Sequence, residues 1–280
     1  MPELLLEEPP IDVAQQAAFT APVEGDQDPG QPRVDSPIEP EITPVIEVDQ
    51  STLPPTEQLE EPDENKQAYV EQALINLKNT SRTASGVIDT TASATKADAM
   101  VGGMDSAEIA DTAVKNFEET VGQLYDLKDS PVESPEDLKG LVEAVAKQIN
   151  GGLLKEGQLI RSGADSDKYP YTRLADLEPA LEEFYDSFFD KLQDPDTDPI
   201  DLAAWVEYRI DLADHFFADG CGKTAKAVSA WVLMRADQPL PTYRGRDELY
   251  VHAPTTIRAQ DPAKAAQEER AWQAYYKTLF

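Results

Sequence analysis

Within twelve residues, His215-Phe216-Phe217-Ala218-Asp219-Gly220-Cys221-Gly222-Lys223-Thr224-Ala225-Lys226, the chain gathers an imidazole, a carboxylate, a thiol, two glycines and two lysines. An imidazole exchanges protons near neutral pH and can act as a general base. A carboxylate suits a hard cation such as Mg²⁺. Glycines let the backbone approach a ligand closely, and the lysines add positive charge. The stretch opens onto a pattern of helical period, and the N–H groups and dipole at a helix start attract anions. These contents suit phosphate.

Three readings compete for the stretch. Gly222-Lys223-Thr224 matches the tail of a nucleotide-binding P-loop, but position 217, where the first glycine belongs, is Phe. The residues before it have a helical pattern, whereas a P-loop follows a strand. A second reading pairs Cys221 with His215 as nucleophile and base, or joins both to Asp219 around a metal; no third orienting group is in view for either. Taken alone, His215 also reads as a surface histidine at a helix end.

The third reading is a resemblance. His215-x-Phe217-x-Asp219-Gly220-x-Gly222 followed by Lys223 and Lys226 resembles the core motif of the Fic (fido) family, His-Pro-Phe-x-Asp/Glu-Gly-Asn-Gly-Arg-x-x-Arg. Gly157-Gln158-Leu159-Ile160-Arg161 is similar to the family's Gly-x-aromatic-Arg segment, and Asp198-Pro199 with Ala203-Ala204 resembles its Asp-Pro-Ala-Ala helix start. Arg246-Asp247-Glu248-Leu249-Tyr250 resembles the segment near the adenine pocket, so the likeness spans about residues 66–255.

The resemblance implies a helical domain that transfers AMP from ATP, or another phosphate-containing group, to a Ser, Thr or Tyr hydroxyl of a target protein. It implies His215 as the general base and Asp219 as the Mg²⁺ ligand. Gly220, Cys221, Gly222, Lys223 and Lys226 would meet the phosphates, with Tyr250 near the base. Tyr169 and Tyr171 would lie in a short β-hairpin flap that aligns the target. Cys221 stands where the family has Asn and loses an amide; Lys223 and Lys226 replace arginines and lose bidentate geometry while keeping charge. The base and metal ligand remain, while the nucleotide and the transferred group stay open. So does the alternative that the domain binds a partner or nucleotide without turnover. Relatives carry an inhibitory Ser/Thr-x-x-x-Glu-Gly/Asn motif; Ser81 to Gly86 fits its frame, with Ser85 where glutamate is expected.

The surrounding elements are read from periodicity. Tyr69, Val70, Ala73, Leu74 and Leu77 recur at helical spacing, as do Ile109, Ala113, Phe117, Val121 and Leu124. Ser134-Pro135-Glu136-Asp137 is a helix start, leading to Leu138, Leu141, Val142, Val145 and Ile149 and ending at Gly151-Gly152. Leu174 to Phe188 forms another helix. From Leu202 through Val206, Ile210 and Ala213 an apolar face leads to Phe217, and Glu207, Asp211 and Asp214 on its other side read as solvated. Residues 225–233 are apolar almost all round, as for a central helix, and Pro262 to Phe280 forms the last one. The fold class is therefore mainly α. Residues 66–97 make an inhibitory-helix-like segment, about 105–255 the core and about 262–280 the C-terminal helix.

The formal charge is −30, which repels nucleic acid and anionic membrane. Residues 1–65 hold 12 of the 22 prolines and 17 acidic side chains against one basic, Arg33. Such a segment buries too little apolar surface to offset its ordering entropy and reads as a disordered tail. The single Cys221 excludes an internal disulfide and suits a reducing compartment. The leucines at the start lack a positive flank, so no secretory signal is expected, and no apolar run reaches the length of a membrane span. A cytoplasmic, bacterial protein is the expectation, with export as an effector left open. Deleting residues 1–65 is expected to leave the thermal unfolding of the remainder unchanged; a large fall in melting temperature would show that the tail packs on the domain.

Overall fold

The structure, a computed structural model, describes residues 63–80, 101–103, 105–166 and 169–280. They are built of helices: α1 (Glu64–Asn79), α2 (Ser106–Asp126), α3 (Pro135–Ile149), α4 (Leu177–Gln193), α5 (Pro199–Glu207), α6 (Cys221–Arg235), α7 (Arg246–Tyr250) and α8 (Pro262–Lys277). The expected stripes at 69–77, 109–124 and 138–149 lie on α1, α2 and α3, whereas Leu174 falls in a 3-10 turn ahead of α4 and the stripe from Leu202 to Phe217 runs on past the end of α5. No helix among the described residues is long and apolar enough to cross a membrane.

The helix starts follow local chemistry. Asp105 and Ser134 cap α2 and α3 with reciprocal bonds to Glu108 and Asp137, which satisfies donors that a helix start leaves unpaired. Asp198 caps α5 and Asp261 caps α8, each ahead of a proline at the first position. Helix α1 begins at Glu64 with Asp63 as its cap. This lies just inside the segment assigned above to the tail, so the deletion expected to leave unfolding unchanged is one of residues 1–62.

Helix α6 is the axis of the bundle. From Thr224 to Met234 every residue is buried, because α1, α2, α3 and α5 all pack on it. Phe188, Trp205 and Trp231 interlock at ring separations of 6.3 and 6.5 Å. Helix α8 is pinned to α5 by the Trp272 indole, which donates to the Ala204 carbonyl at 2.8 Å. Helix α1 is tied to the segment after α6: Asn76 donates to Pro241 O and accepts from Tyr243 N.

Helix α5 does not stop at Glu207 but widens into a π-helical stretch, Tyr208–Ala213. This wider turn changes which way the following side chains point. Glu207, Asp211 and Asp214, expected on a solvated face, are buried at 1 %, 6 % and 0 % exposure. The burial of Asp214 is compensated. Asp214 pairs with the buried Arg209 and accepts from the Thr172 hydroxyl at 2.5 Å. Arg209 also donates to Glu183 at 2.8 Å, and Arg258 reaches the same Glu183 oxygen at 2.7 Å. Burial works against the Arg209 charge, but Asp214 and Glu183 outweigh it and hold its pKa above the ordinary value.

Among the described residues there is no strand, and the flap hairpin expected at Tyr169 and Tyr171 is not seen there. The pairing goes elsewhere. Ile160 bridges Phe217 in antiparallel fashion, with Arg161 N donating to Phe216 O and Ala218 N to Leu159 O, both at 2.9 Å. Residues 159–161 thus satisfy the backbone of the loop ahead of α6, which no helix could do at that point.

For Glu183, burial raises the pKa, yet Arg209 and Arg258 win and leave it below the usual glutamate value. A depressed pKa contributes stability above the unfolded value and loses it as pH falls through the folded value. Glu183→Gln should therefore lower the melting temperature at pH 7, and the gap to wild type should close as the solution is taken through the carboxylate range. An unchanged gap at pH 3 would contradict this.

Candidate functional site

The site is built where the π-helical stretch ends and α6 begins. His215 takes a left-handed backbone conformation, φ +53°, which costs roughly 1–3 kcal/mol for a residue with a side chain. Arg161 holds it there: its Nε donates to His215 O at 2.9 Å, and the guanidinium also bonds Asp214 O and Thr172 O. One side chain thereby fastens the histidine loop to the segment carrying Tyr171. Asp214 joins that segment from below through Thr172 and anchors the loop to Arg209.

The His215 Nδ1 lies 2.9 Å from the Asp211 carbonyl oxygen. A carbonyl only accepts, so Nδ1 carries a hydrogen, and in the neutral ring Nε2 keeps its lone pair. The Asp211 carboxylate is 4.0 Å from the same nitrogen. Tyr171 stacks on the imidazole, 4.2 Å between centroids at 11°, and Tyr169 stacks on Tyr171 at 5.3 Å. Burial, then the Asp211 carboxylate, drives the Tyr171 phenol well above its ordinary pKa, so it stays protonated.

Asp219 is half-buried, and its Oδ1 accepts from Gly220 N at 2.6 Å. Gly220 is required on two counts. It has φ +71°, and a Cβ there would fall 2.8 Å from Asn150 Oδ1. Asn150, the residue after α3, donates to Ala146 O and to Asp219 O, and so locks the end of α3 to this turn. Cys221 is bound within the loop: its thiol donates to Phe217 O and its sulfur accepts from Phe217 N, both at 3.3 Å. It staples the loop from within and is 2 % exposed.

Helix α6 starts on Gly220 without a side-chain cap and has no acid in its first turn. Gly222 and Lys223 are partly exposed there. Lys226 is not with them. It is buried, its Nζ bonded to Glu207 Oε1 at 2.9 Å and lying 4.7 Å over the Tyr243 ring. Tyr243 OH and Ser229 Oγ occupy the other Glu207 oxygen. The expected phosphate contact of Lys226 is thus replaced by an ion pair within the core, because the helix turns this residue toward α5. Ser81, Ser85 and Gly86, the inhibitory-motif-like residues, lie outside the described residues.

Beside Tyr171 a cavity of about 270 Å³ opens, bounded by Tyr169, Pro170, Tyr171, Leu212, Arg246 and Tyr250, with Ala253 and Pro254 closing it. The structure therefore brings Tyr169, Tyr171 and Tyr250 to one cavity next to His215, and sets Gly220, Cys221, Gly222, Lys223 and Asp219 around the α6 start.

A structure search places this architecture beside a Fic domain containing signaling protein from Bacteroides thetaiotaomicron, with a TM-score of 0.50. The chain has a Fic-like fold. The match covers 77 % of this chain and 84 % of that one, at 15 % identity. No protein-family model and no curated protein matches the sequence. In the Fic-like frame Lys223 and Lys226 have parted, one at the helix start and one in the core.

Asn150 escaped the sequence reading, and Asp211 was read there only as a solvated acid. Asn150 before Gly151-Gly152 does signal a helix end, but nothing local reveals its reach to Asp219, 69 residues on. Because Lys226 is paired in the core, Lys226→Met should destabilise the fold by about 3–5 kcal/mol, leaving Glu207 buried without a partner. Adding Glu207→Leu should recover much of the loss. Denaturant unfolding of the two variants measures both, and a stable Lys226→Met protein would place the lysine elsewhere.

Proposed function

We propose that the domain transfers a phosphate-containing group, AMP in the simplest case, from a nucleotide to a hydroxyl of a target protein. The observation that carries this reading is the His215 tautomer. With Nδ1–H given to Asp211 O, the Nε2 lone pair is the one a general base uses. Nε2 takes the proton of the incoming hydroxyl as its oxygen forms the new bond to phosphorus, and the bond from phosphorus to the leaving phosphate breaks. Backbone N–H groups of the first turn of α6 and the Lys223 ammonium hold phosphate oxygens. Cys221 keeps the loop folded in the shape this needs.

Among the described residues no three His, Cys, Asp or Glu side chains group as a metal site. A Mg²⁺ that arrives with a nucleotide needs only one or two carboxylates besides phosphate oxygens, and Asp219 beside the α6 start fits that donor set. When bound, the ion neutralises charge on the phosphates.

Binding without turnover is the second reading, and the pairing of Lys226 with Glu207 favours it, since one cation of the motif is withdrawn from the phosphates. Incubating the protein and a cell extract with ATP labelled separately at the α and γ phosphates separates nucleotidyl transfer, phosphoryl transfer and no transfer. His215→Ala is expected to abolish labelling, at least 100-fold for loss of a general base, while nucleotide affinity changes little. Labelling that survives in His215→Ala would overturn the mechanism.

A further inference from the structure

Arg246 is the informative wall of the cavity beside Tyr171. In a chain of charge −30, many cations in the described part find a carboxylate. Its neighbour Arg244 faces Glu248 at 3.7 Å, and Arg258 meets both Glu183 and Asp214. Arg246 has no ion pair or hydrogen bond among the described residues, and its guanidinium lies 4.3 Å over the face of Tyr250. The ring carries one flat side of the guanidinium. Its N–H donors lie in the plane and are directed by that stacking.

The other walls suit a flat ring. Tyr169, Pro170, Tyr171 and Tyr250 are aromatic or planar in outline, Leu212 is apolar, and 270 Å³ accommodates a base with part of its sugar. Among the described residues no Asn, Gln, Asp or Glu side chain lines the cavity. The charged group that these residues offer to the edge of a bound ring is therefore donor-only.

A guanidinium fork pairs best with two adjacent acceptors. Guanine presents such a pair, O6 and N7, whereas adenine sets an N6–H₂ donor beside N7, where it opposes one arm of the fork. We propose that the cavity holds the base of a guanine nucleotide, stacked by the tyrosines and read at O6 and N7 by Arg246. This inference rests on the nucleotide-transfer reading above and specifies the donor for the same site.

The test is calorimetric titration of the full chain, in Mg²⁺, with non-hydrolysable analogues of GTP, ATP and UTP. The GTP analogue should bind roughly tenfold or more tightly than the ATP analogue, the discrimination a bidentate pair provides. Arg246→Lys keeps the charge and loses the fork, so the GTP preference should collapse toward unity while ATP affinity is retained. On the unaltered protein, a 7-deazaguanine analogue, lacking N7, should bind several-fold more weakly than its parent. Equal or tighter binding of ATP or UTP by wild type overturns the guanine inference and leaves the transfer reading standing. A GTP preference that persists in Arg246→Lys overturns the role of Arg246. Failure of every nucleotide to bind overturns the transfer reading itself, and this inference with it.

Discussion

The buried carboxylate of Asp214 is the constraint around which the site is arranged. It has no access to water, so it needs partners of fixed geometry. Arg209 supplies the charge and Thr172 a hydroxyl. Arg209 is itself held by Glu183 on α4, and Thr172 belongs to the segment that presents Tyr171. Because Asp214 directly precedes His215, the backbone of the histidine is fixed from three elements at once. Arg161 completes the clamp from the other side of the loop by taking the carbonyls of residues 172, 214 and 215. The strained left-handed conformation of His215 is what this over-determined setting can sustain.

A second buried ion pair, Lys226 with Glu207, sits one helical turn deeper, and its consequence is chemical. It turns Lys226 away from the start of α6 and into the core. In so acidic a chain the local field decides, because acids more than about 10 Å away are largely screened at ordinary ionic strength. The start of α6, without an acid in its first turn, remains a place for negative charge. Cys221 is committed to the loop as well. Its thiol donates to Phe217 O and its sulfur accepts from Phe217 N.

Much of the scaffold was legible from residues alone, because a helix that buries one face must repeat apolar residues at its own period. The stripes on α2, α3, α4 and α8, the caps at Ser134 and Asp198, and the all-round burial of α6 follow from that local rule. The twelve-residue stretch also declared its chemistry, since imidazole, carboxylate and glycine types are visible without a fold. The form of the Tyr169 and Tyr171 segment was not legible, because its backbone is set by distant partners: Thr172 N donates to Ala213 O, and Arg161 bonds Thr172 O.

What only the tertiary structure decided concerns charge. Periodicity reports which face of a helix is apolar; it cannot report that an acid on the other face meets a buried arginine or lysine distant in sequence. Glu207, Asp211 and Asp214 looked solvated because charged residues usually are, yet all three are internal, with Arg209 and Thr172 at Asp214 and Lys226 at Glu207. The same limit applies to Lys226, whose spacing puts it near the start of α6 but whose direction is set by Glu207 on the neighbouring helix. The sequence by itself determined the kinds of groups and the helices that carry them. Their pairing was determined by packing, because the energy of a buried charge depends on the neighbours that replace water around it.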